Sequence, residues 1–337
     1  MTLSVSPPIP RGPVVPALAE IQASIRNQLD DVTREMEEII TGDAPLLAQV
    51  GRHLMAMKGK LFRPTLVLLS SATDDASTKR AATMGAVVEL IHLATLVHDD
   101  AVDHSVLRRG MPTINSLFSH QISVIMGDFL YSVALTRLVS LDDMMALRTL
   151  VDASTQMTVG EMRQLSTLEP LTFSEADYEF LIRAKTASLI SAACQVGAMC
   201  GAERHRAALA RYGDALGMAF QIADDLIDYT EATETTGKPT GLDLREHKVT
   251  LPLIAALRTM SPAARKRVDA FFASDEPSDD GVAELIGIVS EAGGLEYARR
   301  RGQDFAGQAE EALAALPETV ARQALYSSIS YVMERHA

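Results

Sequence analysis

The sequence predicts an all-α protein folded as one large domain, and three observations carry that expectation. Apolar residues recur at helical spacing along most of the chain. Sustained period-two alternation and Asn-Gly hairpin turns are both missing. Ala, Leu, Met and Val dominate, aromatics make up only 5% and Trp is absent, a mixture that favours helices.

Taken in order, MTLSVSPPIPRGPVVP (residues 1–16) is Pro-rich, lacks a signal-peptide core and reads as a flexible tail, leaving 17–337 as the domain. Leu18, Ile21, Ile25, Leu29, Val32, Met36 and Ile39 step by three or four and predict an amphipathic helix ending before Gly42. Met84, Val87, Val88, Ile91, Thr95 and Val102 mark a second. A long segment over 122–138 follows, then others near 145–165, 177–200 and 205–230. Thr230–His247, with Gly237, Pro239 and Gly241 close together, reads as a loop able to close over a site. The last third reads as helices over Pro262–Ala273, Gly281–Ala292, Leu295–Leu313 and Pro317–Arg335. No repeat of about 20–50 residues is present, which excludes a solenoid, and no composition break marks a second domain.

The net charge is −13, from 31 basic and 44 acidic residues, which argues against a nucleic-acid partner. An anionic substrate must then be met by a local basic cluster. Cys194 and Cys200 match no zinc spacing and read as buried small hydrophobes. No uncharged apolar run reaches the ~18 residues of a membrane span; the longest candidate, Met84–Val97, is interrupted by Glu89 and His92. A soluble, cytoplasmic protein is expected, with peripheral membrane contact still open.

Two motifs of the same form stand out, DDAVD at Asp99–Asp103 and DDLID at Asp224–Asp228. On a helix, i and i+4 share a face, so Asp99 stacks on Asp103 and Asp224 on Asp228. Like charges so stacked cost stability, and a hard, oxygen-ligated cation such as Mg²⁺ offsets that cost. The chain holds six Asp-Asp pairs, and the other four (beginning at Asp30, Asp74, Asp142 and Asp279) lack the DDxxD form; the two of these that still stack a carboxylate, Asp31 with Glu35 and Asp280 with Glu284, lie among polar and charged residues. Those four read as ordinary surface. The two DDxxD motifs sit instead inside apolar stretches, LIHLATLVHDDAVD and MAFQIADDLIDY, where decorative charge is hard to justify.

Cationic residues gather near these acids in the sequence. GKLFRP spaces Lys60 and Arg63 one helical turn apart; Arg108 and Arg109 follow the first motif and precede Gly110; Lys185–Thr186 and His92 lie in apolar helical segments; Lys238 and Lys248 flank the loop after the second motif. Bidentate Arg and point-charge Lys are what phosphate oxygens call for. Neither a Walker A sequence nor a strand–GxGxxG–helix unit is present. The set therefore describes a site for Mg²⁺ and diphosphate.

With these elements in hand, the chain resembles the trans-isoprenyl diphosphate synthases (polyprenyl synthetases). GKLFRP, the first DDxxD, RRG, Lys185–Thr186, Phe220–Gln221, the second DDxxD, GKPTGLD and KVTLP run in that family's order over about residues 59–254. The resemblance implies a helical bundle around a central apolar cavity, the isoprenoid synthase fold, and a prenyltransferase that joins isopentenyl diphosphate to an allylic diphosphate. It implies about three Mg²⁺ per site, held by Asp99, Asp100, Asp103, Asp224, Asp225 and Asp228. Arg108, Lys185, Lys238 and Lys248 match positions that contact the allylic diphosphate. Lys60, Arg63, His92 and Arg109 match those that bind isopentenyl diphosphate. Gln221 matches a residue that orients near the reacting carbons, and Thr186 is placed with Lys185 among the substrate-binding positions. A homodimer is expected on the same ground.

In that family, aromatic residues four or five positions before the first Asp stop growth early. Here those positions are Thr95 and Ala94, both small, with Ile91 and Val88 deeper. HLATLVHDD and GEMRQL (Gly160–Leu165) are similar to medium- and long-chain members. The resemblance thus implies a product of about C30–C50, for quinone side chains, by family-level analogy; geranylgeranyl diphosphate is the alternative. A class I terpene cyclase would need neither Lys60 nor Arg63, and a non-catalytic subunit of such a synthase usually lacks acidic motifs that this chain keeps.

Overall fold

The computed structural model describes residues 16–40, 45–57, 59–74, 79–165, 169–230, 240–274 and 276–334. The Pro-rich tail and Lys238 therefore lie outside the described residues. Helices occupy most of the rest: α1 (Arg26–Ile40), α2 (Pro45–Ala56), α3 (Phe62–Ser71), α4 (Lys79–Val102), α5 (His120–Val139), α6 (Met144–Leu165), α7 (Glu175–Ile182), α8 (Ser188–Gly201), α9 (Arg206–Thr230), α10 (Leu251–Thr259), α11 (Pro262–Phe272), α12 (Asp279–Glu291), α13 (Gly294–Ala314) and α14 (Val320–Glu334). The expected all-α class holds.

The acid-bearing helices are central. α4 is apolar around its whole circumference and packs against α1, α3, α5 and α8, as a fully buried helix must. α9 packs against α8, α13 and α14. Because α8 touches both, one shared neighbour fixes the two motifs relative to each other. One hydrophobic cluster runs from Ile21 through α4 and α9 to Val332.

Both motifs fall at helix C-termini, α4 closing at Val102 and α9 at Thr230. After α4 the chain turns through left-handed His104 (φ 51°). Ser105 N–H donates to the Asp100 carbonyl at 3.0 Å and His104 N–H to that of Ala101 at 3.4 Å, the double closure of a Schellman motif. Carboxylates at the negative end of a helix dipole are unfavourable, which adds to the repulsion within each pair.

Four differences from the sequence reading have physical causes. The first helix is interrupted by a 3₁₀ turn at Ala23–Ile25. The 177–200 helix contains a π-turn at Arg183–Ala187. α3, buried at eight of its ten residues, and α10, buried along Leu251–Ala256, escaped periodicity because so little polar face is left to count; α2 was missed as well. A two-stranded antiparallel ribbon, β1 (Leu107–Arg108) with β2 (Met111–Pro112), lies in the RRG segment. Its turn is Arg109–Gly110, both at positive φ (52° and 72°), the two-residue geometry that suits strand twist.

By length and composition alone α4 and α5 are each long and apolar enough to cross a membrane, though Glu89 interrupts the first and Asp128 and Arg137 the second, so neither is an uncharged run. The apolar stretch of α4 is 78% buried, that of α5 only 33%. Cys194 and Cys200 are free and buried, as expected, and burial pushes both thiols up to about 12.

Candidate active site

The two acidic motifs open onto one cavity of about 560 Å³, lined by Asp103 just past the end of α4, Asp224 and Asp225 from α9, and Lys185, Asp243 and Lys248 between them. Leu181, Ile182, Phe173 and Val249 make its apolar wall. Burial raises the Asp99 carboxyl, Lys185 opposes the rise, and Glu161 and Asp103 add to it. Lys185 pairs with Glu161 and stands 3.9 Å from Asp99 Oδ2. The π-turn lets adjacent residues reach the site: Lys185 turns to the acids of α4, while buried Thr186 donates to Gln221 Oε1 at 2.8 Å. Such bulges in helices often mark functional positions.

The second aspartate of each motif is held by the protein. Asp100, 4% exposed, accepts Arg108 Nε on both oxygens at 2.9 Å, and Arg108 Nη2 lies 2.7 Å from Oδ1. Asp225, 5% exposed, accepts from the Tyr178 hydroxyl at 2.6 Å and the Gln221 amide at 2.9 Å. Burial drives the Asp225 carboxyl well above its ordinary range, Asp243 drives it further, and the Tyr178 and Gln221 bonds pull back. Asp228 caps the turn Leu242–Arg245, accepting the amides of Leu242 and Asp243 at 3.0 and 3.1 Å. Asp243 is pushed up to about 7, first by burial and then by Asp228. At Lys248 burial acts downward, but Glu246 at 2.6 Å, with Asp243 and Asp103, leaves the amine raised.

A second cationic cluster lies behind the first. Burial, then Arg63, Arg109 and Arg108, holds His92 well below its ordinary value, so its imidazole is neutral. Half-buried Arg63 keeps its Nε without a partner. Burial lowers Arg63 and Arg109 alike while Glu89 supports both. Arg109 donates to the Met57 carbonyl at 3.0 Å and lies close over Gly59, where a Cβ would push its guanidinium aside. Lys60 is exposed and precedes α3 rather than sharing a helical turn with Arg63, since Leu61 is the left-handed residue before that helix. Pro64 in the first turn of α3 removes only an amide that lacks an intrahelical partner anyway.

The RRG ribbon sorts its arginines. Arg108 ends β1 while Arg109 sits at positive φ in the turn, so the two side chains leave the ribbon differently: Arg108 goes to Asp100 and Arg109 to Met57 and Gly59. The expected tunnel residues are less open. Ile91 (0% exposed) and Ala94 (2%) sit in the core, and half-buried Thr95 donates to the His92 carbonyl at 2.7 Å. None of the three lines the described cavity. Tyr178, Glu161, Asp243 and Glu89 were not singled out from the sequence. Asp243 and Glu161 lay inside motifs already quoted; Tyr178 and Glu89 gave no signal but a polar group at a core-facing position.

Among the described residues no three His, Cys, Asp or Glu side chains converge as a ready metal cage. The donors are nevertheless all hard oxygens, and the repulsion that lifts Asp243 is what a cation relieves. Mg²⁺ binds readily to one or two carboxylates plus phosphate oxygens, so the residues fit it once a diphosphate completes the shell.

Paired acids facing ordered cations across an apolar-walled cavity, inside an all-α bundle, define an enzyme of the isoprenoid synthase fold. The polyprenyl synthetase family model matches residues 44–289. An all-trans-nonaprenyl-diphosphate synthase (geranyl-diphosphate specific) of Rhodobacter capsulatus is 35% identical over 94% of this chain and 97% of its own. A short chain isoprenyl diphosphate synthase of Methanothermobacter thermautotrophicus is 35% identical over 92% and 94%. The crystal structure of a polyprenyl synthase from Caulobacter crescentus CB15, complexed with calcium and isoprenyl diphosphate, superposes with TM-score 0.90 at 33% identity, covering 97% of this chain and 100% of that one. The chain belongs to the polyprenyl synthetase family and is a prenyltransferase.

Proposed function

We propose that this prenyltransferase joins isopentenyl diphosphate to an allylic diphosphate such as farnesyl diphosphate, repeatedly and with Mg²⁺, and releases a medium- or long-chain polyprenyl diphosphate for use in quinone side chains. The observation that carries this reading is the division of the RRG arginines between two anion sites. A cyclase holds one diphosphate, whereas this chain aims Arg108 at the acidic cleft and Arg109 at the Arg63–His92 pocket. Two cationic pockets suit two diphosphates.

Asp99, Asp103, Asp224 and Asp228 would hold Mg²⁺, whose charge offsets that of the departing diphosphate. Lys185, Lys248 and Arg108 add fixed positive charge at the same place. As the allylic carbon–oxygen bond breaks, its electron pair leaves with the diphosphate. The isopentenyl double bond then attacks the allylic cation, and a proton is lost to restore a double bond, with the released diphosphate as acceptor. Arg63, Arg109, Lys60 and neutral His92 hold the second diphosphate. Leu181, Ile182, Phe173 and Val249 keep water from the cation.

The small residues Ala94 and Thr95 support the longer product, and relatives of equal identity but different chain length make product analysis decisive. Purified protein is given farnesyl and isopentenyl diphosphates with Mg²⁺, and the products are separated by chromatography. Products longer than geranylgeranyl are expected; nothing beyond that length would refute the long-chain reading. Exposed Ile125, Val139, Met144 and Met145 on α5 and α6 support a homodimer. Free Cys194 and Cys200 suit the reducing cytoplasm.

A further inference from the structure

Asp225 stands apart from the acids flanking it. On a helix it lies about 100° round from Asp224, and that rotation takes it out of the face shared by Asp224 and Asp228 and into the packing against α7. There it is 5% exposed and accepts one hydrogen bond on each oxygen, from Tyr178 at 2.6 Å and Gln221 at 2.9 Å. Gln221 in turn accepts from Thr186 at 2.8 Å. Four side chains thus form one line, Tyr178–Asp225–Gln221–Thr186, joining α7, α9 and the π-turn. Tyr178, Gln221, Thr186 and Asp225 all border the cavity.

We infer that Tyr178 and Asp225 are positioning residues that set the orientation of the Gln221 amide, and that Asp225 is not a metal ligand. A primary amide is nearly the same shape when flipped, so only its partners choose which end faces which way. Asp225 Oδ1 accepts from the Gln221 NH₂ group at 2.9 Å while its Oδ2 accepts from Tyr178, and this pairing turns the amide nitrogen toward the carboxyl group. The amide carbonyl must then face Thr186 and the cavity, where an electron-deficient allylic carbon develops. Tyr178 occupies the other carboxyl oxygen with a short bond of 2.6 Å and so stops Asp225 from rotating toward the cleft. This inference rests on the proposed roles of Asp224 at the metal and Gln221 at the reacting carbons.

The test separates binding from turnover. Inorganic diphosphate is titrated calorimetrically in the presence of Mn²⁺ into wild type, Tyr178→Phe, Asp225→Asn and Asp224→Asn, all shown folded by circular dichroism. Tyr178→Phe and Asp225→Asn should bind within about threefold of wild type, and Asp224→Asn at least about tenfold more weakly. In steady-state kinetics Tyr178→Phe should lower kcat about tenfold with both KM values within about twofold, since it removes an interaction felt only in the transition state. Tyr178→Phe should add nothing to Gln221→Leu, because two changes along one line are not additive. Asp225→Asn losing diphosphate as far as Asp224→Asn, or Tyr178→Phe multiplying the Gln221→Leu defect, overturns the inference. Wild-type binding by Asp224→Asn would instead overturn the metal assignment and leave the kinetic cycle to judge Tyr178.

Discussion

Replacing Asp243 by Asn should stabilise the metal-free protein at alkaline pH and make it less responsive to metal. Asp243 sits in the first turn of Leu242–Arg245, beside Asp228. Its carboxyl is pushed from 3.8 up to about 7, by burial and by Asp228, with Lys248 opposing and Glu246 and Asp224 adding. A rise of roughly three units corresponds to on the order of 4 kcal/mol held against the charged form, an upper bound. A carboxyl raised in the folded state contributes stability that is complete below about pH 4 and is lost as pH climbs through about 7. Asn removes the charge but returns about 1–3 kcal/mol through its desolvated amide, so a net gain of about 1–3 kcal/mol is expected at pH 8. Thermal unfolding reads this as a rise of about 2–4 °C per kcal/mol for a chain of this size. The gap between variant and wild type should be small or reversed at pH 5 and open by pH 8. Mg²⁺ with inorganic diphosphate should close it by stabilising wild type more. A variant that melts below wild type at pH 8, or a gap that ignores pH, would refute the account of Asp243 as an unrelieved charge.

Three further outcomes are expected. Arg109→Ala should raise KM for isopentenyl diphosphate about 10–100-fold with little change for the allylic substrate, and Arg108→Ala should do the reverse, read by varying each substrate in turn. Ala94→Phe should shorten the product and, because Ala94 is 2% exposed, should also cost about 1–3 kcal/mol by overpacking; an unchanged product length places the tunnel elsewhere. Ile125→Glu combined with Met144→Glu, on the exposed apolar face of α5 and α6, should halve the mass measured by light scattering.

The helical class and most of the long helices were legible because they are amphipathic or end at clear breaks. α9 and α13 are read within a residue or two. α3 was not, because burial on all sides erases the period on which such reading depends. The π-turn at Arg183–Ala187 was equally hidden, since one extra residue per turn leaves the composition unchanged. The acids and most of the cations of the site stood out by charge in apolar surroundings. Their division of labour did not.

The sequence by itself determined that this is a helical protein with two acidic motifs of the DDxxD form and a set of basic residues near them in the chain, because local periodicity and residue chemistry are local properties. Tertiary structure alone decided that Arg108, ending β1, and Arg109, in the turn after it, go to different partners, and that Asp100 is paired with Arg108 and Asp225 with Tyr178. Which face of a helix meets which neighbour depends on packing between segments far apart in the chain. A motif names its aspartates, but only the packing of α7 and the RRG ribbon against α9 and α4 decides which protein groups each of them pairs with.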